Sequence, residues 1–304
     1  MVGIEDKHDM NYYLKCMLGG VFACGLTHLA VTPLDIVKCR KQINPTIYKS
    51  LGAGLSTIKA ESGMKGLFLG WQPTLIGYSM QGFGKFGFYE IFKDVFKKIF
   101  GNKAEKYKTT GFLVSSACAE VIADVLLCPM ESLKVRMQTS KAGTFPPEFG
   151  KGIAELGKEG LNGFYKGLVP LMARQVPYTM VKFGAFENTV VFCYKYIWTK
   201  PKKEYSKATQ LSITFLSGYF AGIFCAIVSH PADTMVSKLN NVKSDGEKTS
   251  IGKAVGKIYA DIGFAGLWRG LTTRIIMVGT LTGLQWWIYD SFKTMVGLQT
   301  TGGK

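Results

Sequence analysis

The residues in this chain that could do chemistry are charged side chains embedded in apolar segments. Four such segments, residues 69–96, 110–137, 167–197 and 271–296, are interrupted by charges that include Lys85, Glu90, Glu120, Asp124, Glu131, Arg174, Lys182, Glu187 and Asp290. A charge inside a bilayer is costly unless it faces a watery cavity or pairs with another charge. The pattern therefore indicates a transporter rather than a membrane anchor.

Basic and amide side chains form a candidate substrate site. Arg174, Tyr178 and Lys182 recur every four residues and share one helix face, as Gln81 and Lys85 do on an earlier segment. Arginine offers a planar fork of donors and lysine a point charge, and both suit a phosphate group. The predicted substrate-binding set is Gln81, Lys85, Arg174, Gln175, Tyr178, Lys182 and Gln285.

Three titratable residues form a candidate proton site, namely His28, Glu120 and Asp124. Histidine titrates near physiological pH, and a carboxyl group at mid-span can avoid the cost of its charge by taking up a proton. A structural pair between His28 and Asp124 is the alternative. Cys24 and His28 lie four residues apart and form a weak two-ligand signal for Cu(I).

The elements that must position these side chains are membrane-spanning helices. Residues 16–34 and 208–232 contain no Asp, Glu, Lys or Arg, and about 20 mostly apolar residues cross a bilayer. Together with the four interrupted segments they predict six spans. Short amphipathic segments are predicted at residues 48–60, 149–158 and 250–260.

Internal repetition organises the six spans into three copies. A proline followed by an acid recurs as Pro33-Leu34-Asp35, Pro129-Met130-Glu131 and Pro231-Ala232-Asp233, at spacings of 96 and 102 residues. An aromatic-acid element recurs as Tyr89-Glu90, Phe186-Glu187 and Tyr289-Asp290, and a third recurs as Phe68-Leu69-Gly70, Tyr165-Lys166-Gly167 and Trp268-Arg269-Gly270. We predict repeats at 1–105, 106–204 and 205–304 within one structural domain.

Composition excludes other classes of protein. The 304 residues carry a formal net charge of +16, which in a soluble chain would suggest nucleic acid. The mean hydropathy of +0.13 argues against a nucleic-acid partner and against disorder. No Walker, H-E-x-x-H or G-x-S-x-G motif occurs, so we expect neither an enzyme nor a bound cofactor. Residues 1–15 hold three acids and no arginine, unlike a transit peptide.

Proline, acid and base, with Gln42, Gln138 and Asn240 nine residues after each proline, resemble the signature of the mitochondrial carrier family. Residues 24–28, 81–87, 119–124 and 229–233 resemble the phosphate carriers of that family. The resemblance implies an all-α membrane protein with six transmembrane helices in three pseudo-symmetric repeats around a central cavity, with short matrix-side amphipathic helices. It implies import of inorganic phosphate across the mitochondrial inner membrane, with a proton or in exchange for hydroxide, by alternating access.

The resemblance also implies two gates. The predicted matrix gate comprises Asp35, Lys38, Glu131, Lys134, Asp233, Gln42 and Gln138. The predicted cytoplasmic gate comprises Glu90, Lys93, Glu187, Asp290, Lys293, Tyr89 and Tyr289.

Three-fold symmetry predicts four ion pairs in these gates, Asp35–Lys134, Asp233–Lys38, Asp290–Lys93 and Glu187–Lys293. Glu131 would face Val236 and Glu90 would face Val190. Each gate is therefore expected to have two ion pairs rather than three.

The expected partners are phosphate, protons, the lipid bilayer and, from the resemblance, cardiolipin at the helix N-termini that follow Gly167 and Gly270. We expect function as a monomer. Copper as a second substrate, another small anion, and a non-transporting membrane scaffold are the alternatives.

Overall fold

A computed structural model of the chain describes residues 8–44, 46–48, 50–140, 144–243, 251–268 and 270–302. Within these ranges the side chains of residues 42, 43, 232, 233, 236–243, 251–255 and 273 are not described. The predicted residues Gln42, Asp233 and Asn240, at the level of their side chains, and Arg269 altogether, lie outside the described part.

Six long helices make up most of the molecule. They are α1 (Met10–Ile43), α3 (Trp71–Phe100), α4 (Lys108–Thr139), α7 (Leu168–Phe192), α8 (Lys207–Lys243) and α10 (Leu271–Met295). Four shorter helices connect them within the repeats, α2 (Leu51–Leu67), α5 (Phe149–Gly157), α6 (Gly160–Tyr165) and α9 (Ile251–Leu267). Strands do not occur among the described residues, and the predicted all-α class is confirmed.

The long helices contact one another in a closed ring. α1 packs on α3, α3 on α4, α4 on α7, α7 on α8, α8 on α10, and α10 returns to α1. Three segments, Met10–Lys41, Lys108–Thr139 and Lys207–Pro231, are long and apolar enough to cross a membrane by length and composition. The remaining long helices α3, α7 and α10 have 30, 25 and 25 residues. They contain charged residues such as Lys85, Lys182 and Asp290.

The outer surface of the ring is apolar. On α1 the exposed side chains Leu14, Leu18, Phe22 and Leu26 recur every four residues and form one stripe. Polar side chains such as Gln81 and Glu120 are buried inside. Because a soluble protein has the opposite arrangement, the described ring fits a lipid environment.

Each repeat bends at a glycine in its short helical region. Gly63 lies inside α2, Gly160 is the first residue of α6 and Gly263 lies inside α9. Their φ values of 65°, 65° and 62° are a left-handed conformation that favours glycine over every other residue. The bend precedes the next long helix in each repeat.

Glycines allow α1 to contact α3, and α8 to contact α10, backbone to backbone. A Cβ atom added to Gly82 of α3 would lie 2.0 Å from the Gly20 carbonyl oxygen of α1, and one added to Gly222 of α8 would lie 2.6 Å from Gly279 Cα of α10. Small residues permit such close approach in membrane helices. In the second repeat the corresponding slots hold Ser116 and Glu120, both fully buried.

Gly82→Ala should destabilise the protein, because the added methyl group forces α1 and α3 apart. Overpacking of this kind costs about 1–3 kcal/mol, which should lower the midpoint of thermal unfolding in detergent by roughly 5 °C. Gly52→Ala is the matched control, since no atom lies within 4 Å of a Cβ there. Equal melting temperatures for the two variants would contradict the close α1–α3 contact.

Candidate functional site

The centre of the ring contains a buried ion pair between the first and second repeats. Lys85 Nζ of α3 lies 2.9 Å from Glu120 Oε2 of α4, and Gln81 Nε2, one helical turn before Lys85, donates to Glu120 Oε1 at 2.8 Å. All three side chains are almost inaccessible to solvent. The sequence assigned Glu120 to proton transfer and Lys85 to substrate binding, whereas the structure joins the two residues in one cluster.

A second polar cluster links the third repeat to the other two. Lys182 Nζ of α7 donates to Gln285 Oε1 of α10 at 2.9 Å. The Gln285 amide nitrogen lies 3.3 Å from His28 Nε2 and donates to Thr27 Oγ1 at 3.4 Å. Lys182, Gln285 and His28 therefore contact one another, and Lys85 lies close enough to interact electrostatically with Lys182 and His28.

His28 and Asp124 do not form the structural pair considered above. The His28 ring stacks on Tyr78 with centroids 3.6 Å apart. The buried carboxyl group of Asp124 lies next to that of Glu120, one helical turn before it on α4. Two adjacent carboxyl groups in an apolar span cannot both carry a charge without great cost.

A layer of aromatic side chains fills the centre of the helical ring directly beside these clusters. It consists of Phe86, Tyr89, Phe183, Phe186, Trp286 and Tyr289, all fully buried. The rings of Phe86, Phe183 and Trp286 lie 5.0–5.3 Å from one another, and Phe186 stacks on Trp286 at 3.5 Å. The sequence reasoning missed this layer as a unit, although an aromatic residue follows Lys85, Lys182 and Gln285 in all three repeats.

The predicted cytoplasmic gate lies beyond the aromatic layer. Lys93 Nζ lies 2.9 Å from Glu90 Oε1 and 3.2 Å from Glu187 Oε1, and the Tyr89 hydroxyl donates to the same Glu187 oxygen at 3.2 Å. The Tyr12 hydroxyl donates to Glu90 at 2.9 Å. These contacts join α1, α3 and α7.

The two predicted ion pairs of this gate are wrong in this conformation. Lys93 pairs with Glu90, one turn before it on α3, and with Glu187 of α7 instead of with Asp290. Asp290 instead accepts from the Thr214 hydroxyl at 2.8 Å and from Thr301, and Lys293 donates to Thr301 at 3.2 Å. The Tyr289 hydroxyl has no hydrogen-bond partner among the described side chains.

The predicted matrix gate contains the expected pair between the first two repeats. Lys134 Nζ lies 3.0 Å from Asp35 Oδ2 and 3.7 Å from Glu131 on its own helix. The ammonium group also sits 5.0 Å from the centre of the Tyr78 ring. Gln138 donates to the Leu69 carbonyl at 3.0 Å. The predicted Asp35–Lys134 pair is confirmed.

The second predicted pair of this gate, Asp233–Lys38, stays a prediction. Lys38 is exposed, and the side chain of Asp233 lies outside the described part.

A cavity of about 870 Å³ lies between α4, α7 and α8. Arg174, Tyr178 and Glu131 line it, whereas Lys85 and Lys182 lie deeper, in the clusters beside the aromatic layer. Gln175 on α7 is half-buried but does not line this cavity. The prediction that Lys85, Arg174 and Lys182 line one common cavity is therefore wrong for this conformation, because Glu120 and Gln285 hold the two lysines away from it.

A cluster of Arg136, Glu159 and Lys166, here called the brace, connects α4 to the short helices α5 and α6 beside the cavity. Arg136 Nη2 donates to Glu159 Oε2 at 2.8 Å, and Lys166 Nζ donates to the same oxygen at 3.1 Å. The hydrogen bonds from Arg136 and then Lys166 lower the pKa of Glu159 below its usual value. The brace fixes the position of Lys166 at the rim of the cavity.

The ring, its paired gates and its central charged clusters define a membrane carrier built from three repeats. A family model described as "Mitochondrial carrier protein" matches residues 9–100, 105–196 and 207–299. The chain belongs to the mitochondrial carrier family.

Relatives extend over nearly the whole chain. The "Probable mitochondrial phosphate carrier protein" of Schizosaccharomyces pombe is 54% identical over 296 residues, covering 96% of this chain and 93% of that protein. The "Phosphate carrier protein, mitochondrial" of Caenorhabditis elegans is 55% identical, covering 95% and 82%. The human "Solute carrier family 25 member 3" is 48% identical, covering 95% and 79%.

The copper hypothesis receives no support from the site. Gln285 lies 4.0 Å from Cys24 Sγ and 3.3 Å from His28, so an amide rather than a third metal ligand joins the two residues. The described part of the chain brings no three His, Cys, Asp or Glu side chains together in a metal-binding group.

Reversal of Asp35 to Lys should abolish transport, because Lys134 would then face a like charge. The double swap, Asp35→Lys with Lys134→Asp, should recover part of the activity, since it restores an opposite-charge pair. Transport is measured as uptake of radiolabelled phosphate, the solute that the resemblance implies. Glu148→Lys, a reversal in an exposed pair with Lys151, is the control and should transport normally. A folded double mutant without any recovery would argue against the pairing.

Proposed function

We propose that this chain imports inorganic phosphate into the mitochondrial matrix together with a proton, or equivalently in exchange for hydroxide. It does so by alternating access as a multi-pass protein of the inner membrane, as a transporter and not as an enzyme. The observation that carries the proposal is the buried Lys85–Glu120 pair at 2.9 Å beside Lys182 and His28. The names of the relatives, which specify phosphate carriers, support the choice of anion.

Lys85 and Lys182 supply the attraction for the anion. Each is about 3% exposed and currently satisfied by an internal acceptor. An entering phosphate would replace Glu120 at Lys85 and Gln285 at Lys182, and charge-assisted hydrogen bonds of this kind are strong in a dry site. Arg174 and Tyr178, at the cavity, would guide the anion towards the two lysines.

Coupling to a proton follows from competition for Lys85. When phosphate takes the ammonium group, Glu120 loses its countercharge and lies beside Asp124 in an apolar span. A carboxylate left unpaired there is strongly disfavoured, so Glu120 takes up a proton. Phosphate and proton therefore occupy the site together. His28, in contact with Gln285, offers the route by which that proton arrives or leaves.

The proton also removes the electrical cost of moving the anion across the membrane. Moving one anion into the negatively charged matrix costs about 2.3 kcal/mol per 100 mV. One accompanying proton cancels that charge.

The gates open alternately around this site. The ion pairs of Lys134 at one end and of Lys93 at the other are largely buried. The cost of removing both charges from water offsets much of their attraction, so each pair can open in every cycle. The proposed functional unit is a monomer. Cardiolipin is the proposed lipid partner, since the N-terminus of α7 after Gly167 presents backbone amides beside Lys166.

The direct test is uptake of radiolabelled phosphate into liposomes that contain the pure protein, with and without a pH gradient. Uptake should rise when the receiving compartment is alkaline, and it should collapse when the gradient is removed. Uptake that responds to membrane potential but not to a pH gradient would refute proton coupling. Uptake of a different anion in preference to phosphate would refute the assigned substrate.

Lys182→Gln should abolish phosphate uptake without unfolding the protein, because the amide keeps a hydrogen-bond donor for Gln285 but removes the charge that attracts the anion. The loss should be about 100-fold or more, as expected for a charged hydrogen bond made in a dry site. Lys195→Gln is the control on the same chain segment, where the lysine is exposed. Normal uptake by a folded Lys182→Gln variant would remove Lys182 from the site.

Glu120→Gln should lose uptake driven by a pH gradient while phosphate/phosphate exchange partly survives. The glutamine is nearly isosteric and still accepts from Gln81, but it cannot carry a proton. Both modes are measured in liposomes, and Glu105→Gln, at an exposed carboxylate, serves as the control. A variant that still follows the pH gradient like the parent would make His28 the better proton carrier.

A further inference from the structure

Residues 298–302, here called the tail, follow α10 and fold back over the predicted cytoplasmic gate. The Leu298 amide donates to the Lys293 carbonyl at 2.8 Å, which reverses the direction of the backbone. Thr300 and Thr301 are only 5% and 4% exposed. A polar segment so completely buried must find specific partners for its hydrogen-bonding groups.

Thr301 satisfies both gate residues of the third repeat. Its amide lies 2.9 Å from each carboxylate oxygen of Asp290, and its hydroxyl donates to Asp290 Oδ1 at 2.6 Å. Lys293 Nζ donates to the same hydroxyl at 3.2 Å. Thr301 therefore binds both Asp290 and Lys293. Three-fold symmetry would pair this acid with Lys93 and this base with Glu187.

A buried lysine fastens the tail to the connection between α7 and α8. Lys202 Nζ donates to the carbonyl oxygens of Thr300 at 2.6 Å and Gly302 at 2.5 Å. The Thr300 hydroxyl donates to Gln210 at 3.1 Å. Burial lowers the pKa of Lys202 to about 8, which reflects how fully this junction excludes water.

The last described residue of the tail reaches α7 itself. A Cβ atom added to Gly302 would lie 3.0 Å from Val190 Cβ and 3.4 Å from Glu187 Oε2. The tail thus bridges the end of α10 to α7, the same two helices that a Glu187–Lys293 ion pair would join.

We propose that the tail is a working component of the cytoplasmic gate. It holds α10 against α7 in the closed gate, because Thr301 gives Asp290 and Lys293 the partners that Lys93 of the first repeat and Glu187 of the second do not supply. Opening of the gate to the cytoplasm then requires Thr301 to leave Asp290. The proposal rests on the alternating gates of the proposed function, but not on the identity of the transported solute.

Thr301→Val tests this role directly, since it removes the hydroxyl shared by Asp290 and Lys293 and keeps the shape of the side chain. The readout is labelling of Cys24, which is buried beside Gln285 at the level of the site, by a membrane-impermeant thiol reagent. The reagent is added to mitoplasts, whose outer face is the cytoplasmic one, and the Cys24 peptide is followed by mass spectrometry. Labelling should be roughly tenfold faster than in the parent, because a hydrogen bond to a charged group is worth about that factor.

Thr294→Val is the matched control, because its hydroxyl donates only to the Ser291 carbonyl within α10. It should label at the parental rate. Equal labelling of Cys24 in the Thr301→Val, Thr294→Val and parent proteins would overturn the proposal. If labelling changes as expected while none of the proteins carries phosphate, the gate component stands and the assigned solute fails.

A covalent lock gives an independent answer should Thr301→Val prove unstable. Val190→Cys together with Gly302→Cys places two thiols within reach of a disulfide. Oxidation should stop both Cys24 labelling and phosphate uptake, and a reductant should restore them, whereas either single variant should be unaffected by the same treatment. Full labelling and uptake in the cross-linked protein would show that the gate opens with the tail in place, and would refute the proposal.

Discussion

Every charge buried in this ring of helices needs a partner, and the structure depends on how those partners are shared. Glu120 is fully buried and is held by Lys85 and Gln81. Lys182 is held by Gln285. In the transport cycle that we propose, an entering anion replaces these internal acceptors at both lysines. The same partners that stabilise the buried charges would then make the site responsive to its solute.

The repeats and the spans were predictable from sequence, because each rests on local patterns. Proline-acid elements recur at nearly equal spacing, and apolar runs of membrane length surround them. The Asp35–Lys134 pair was also predictable, since the repeated motif places an acid and a base three residues apart on α1 and again on α4.

The Lys85–Glu120 contact could not be derived in the same way. It joins two residues that the sequence places in different sets, and only the packing of α3 on α4 brings them within 2.9 Å. The cytoplasmic pairs were wrong for a related reason. Three-fold symmetry requires all three repeats to make the same contacts. In the structure Lys93 pairs with two nearby acids, and the tail hydrogen-bonds to Asp290 and Lys293. No sequence motif marks Thr301 for that role.

The aromatic layer has an electrical consequence. Its six rings are fully buried and pack within 3.5–5.3 Å of their neighbours, so they form a region of low dielectric constant between the central clusters and the predicted cytoplasmic gate. An ion with an uncompensated charge has a large desolvation cost in such a region, whereas an ion whose charge is balanced has a far smaller one. The layer is therefore an electrical barrier as well as a steric one.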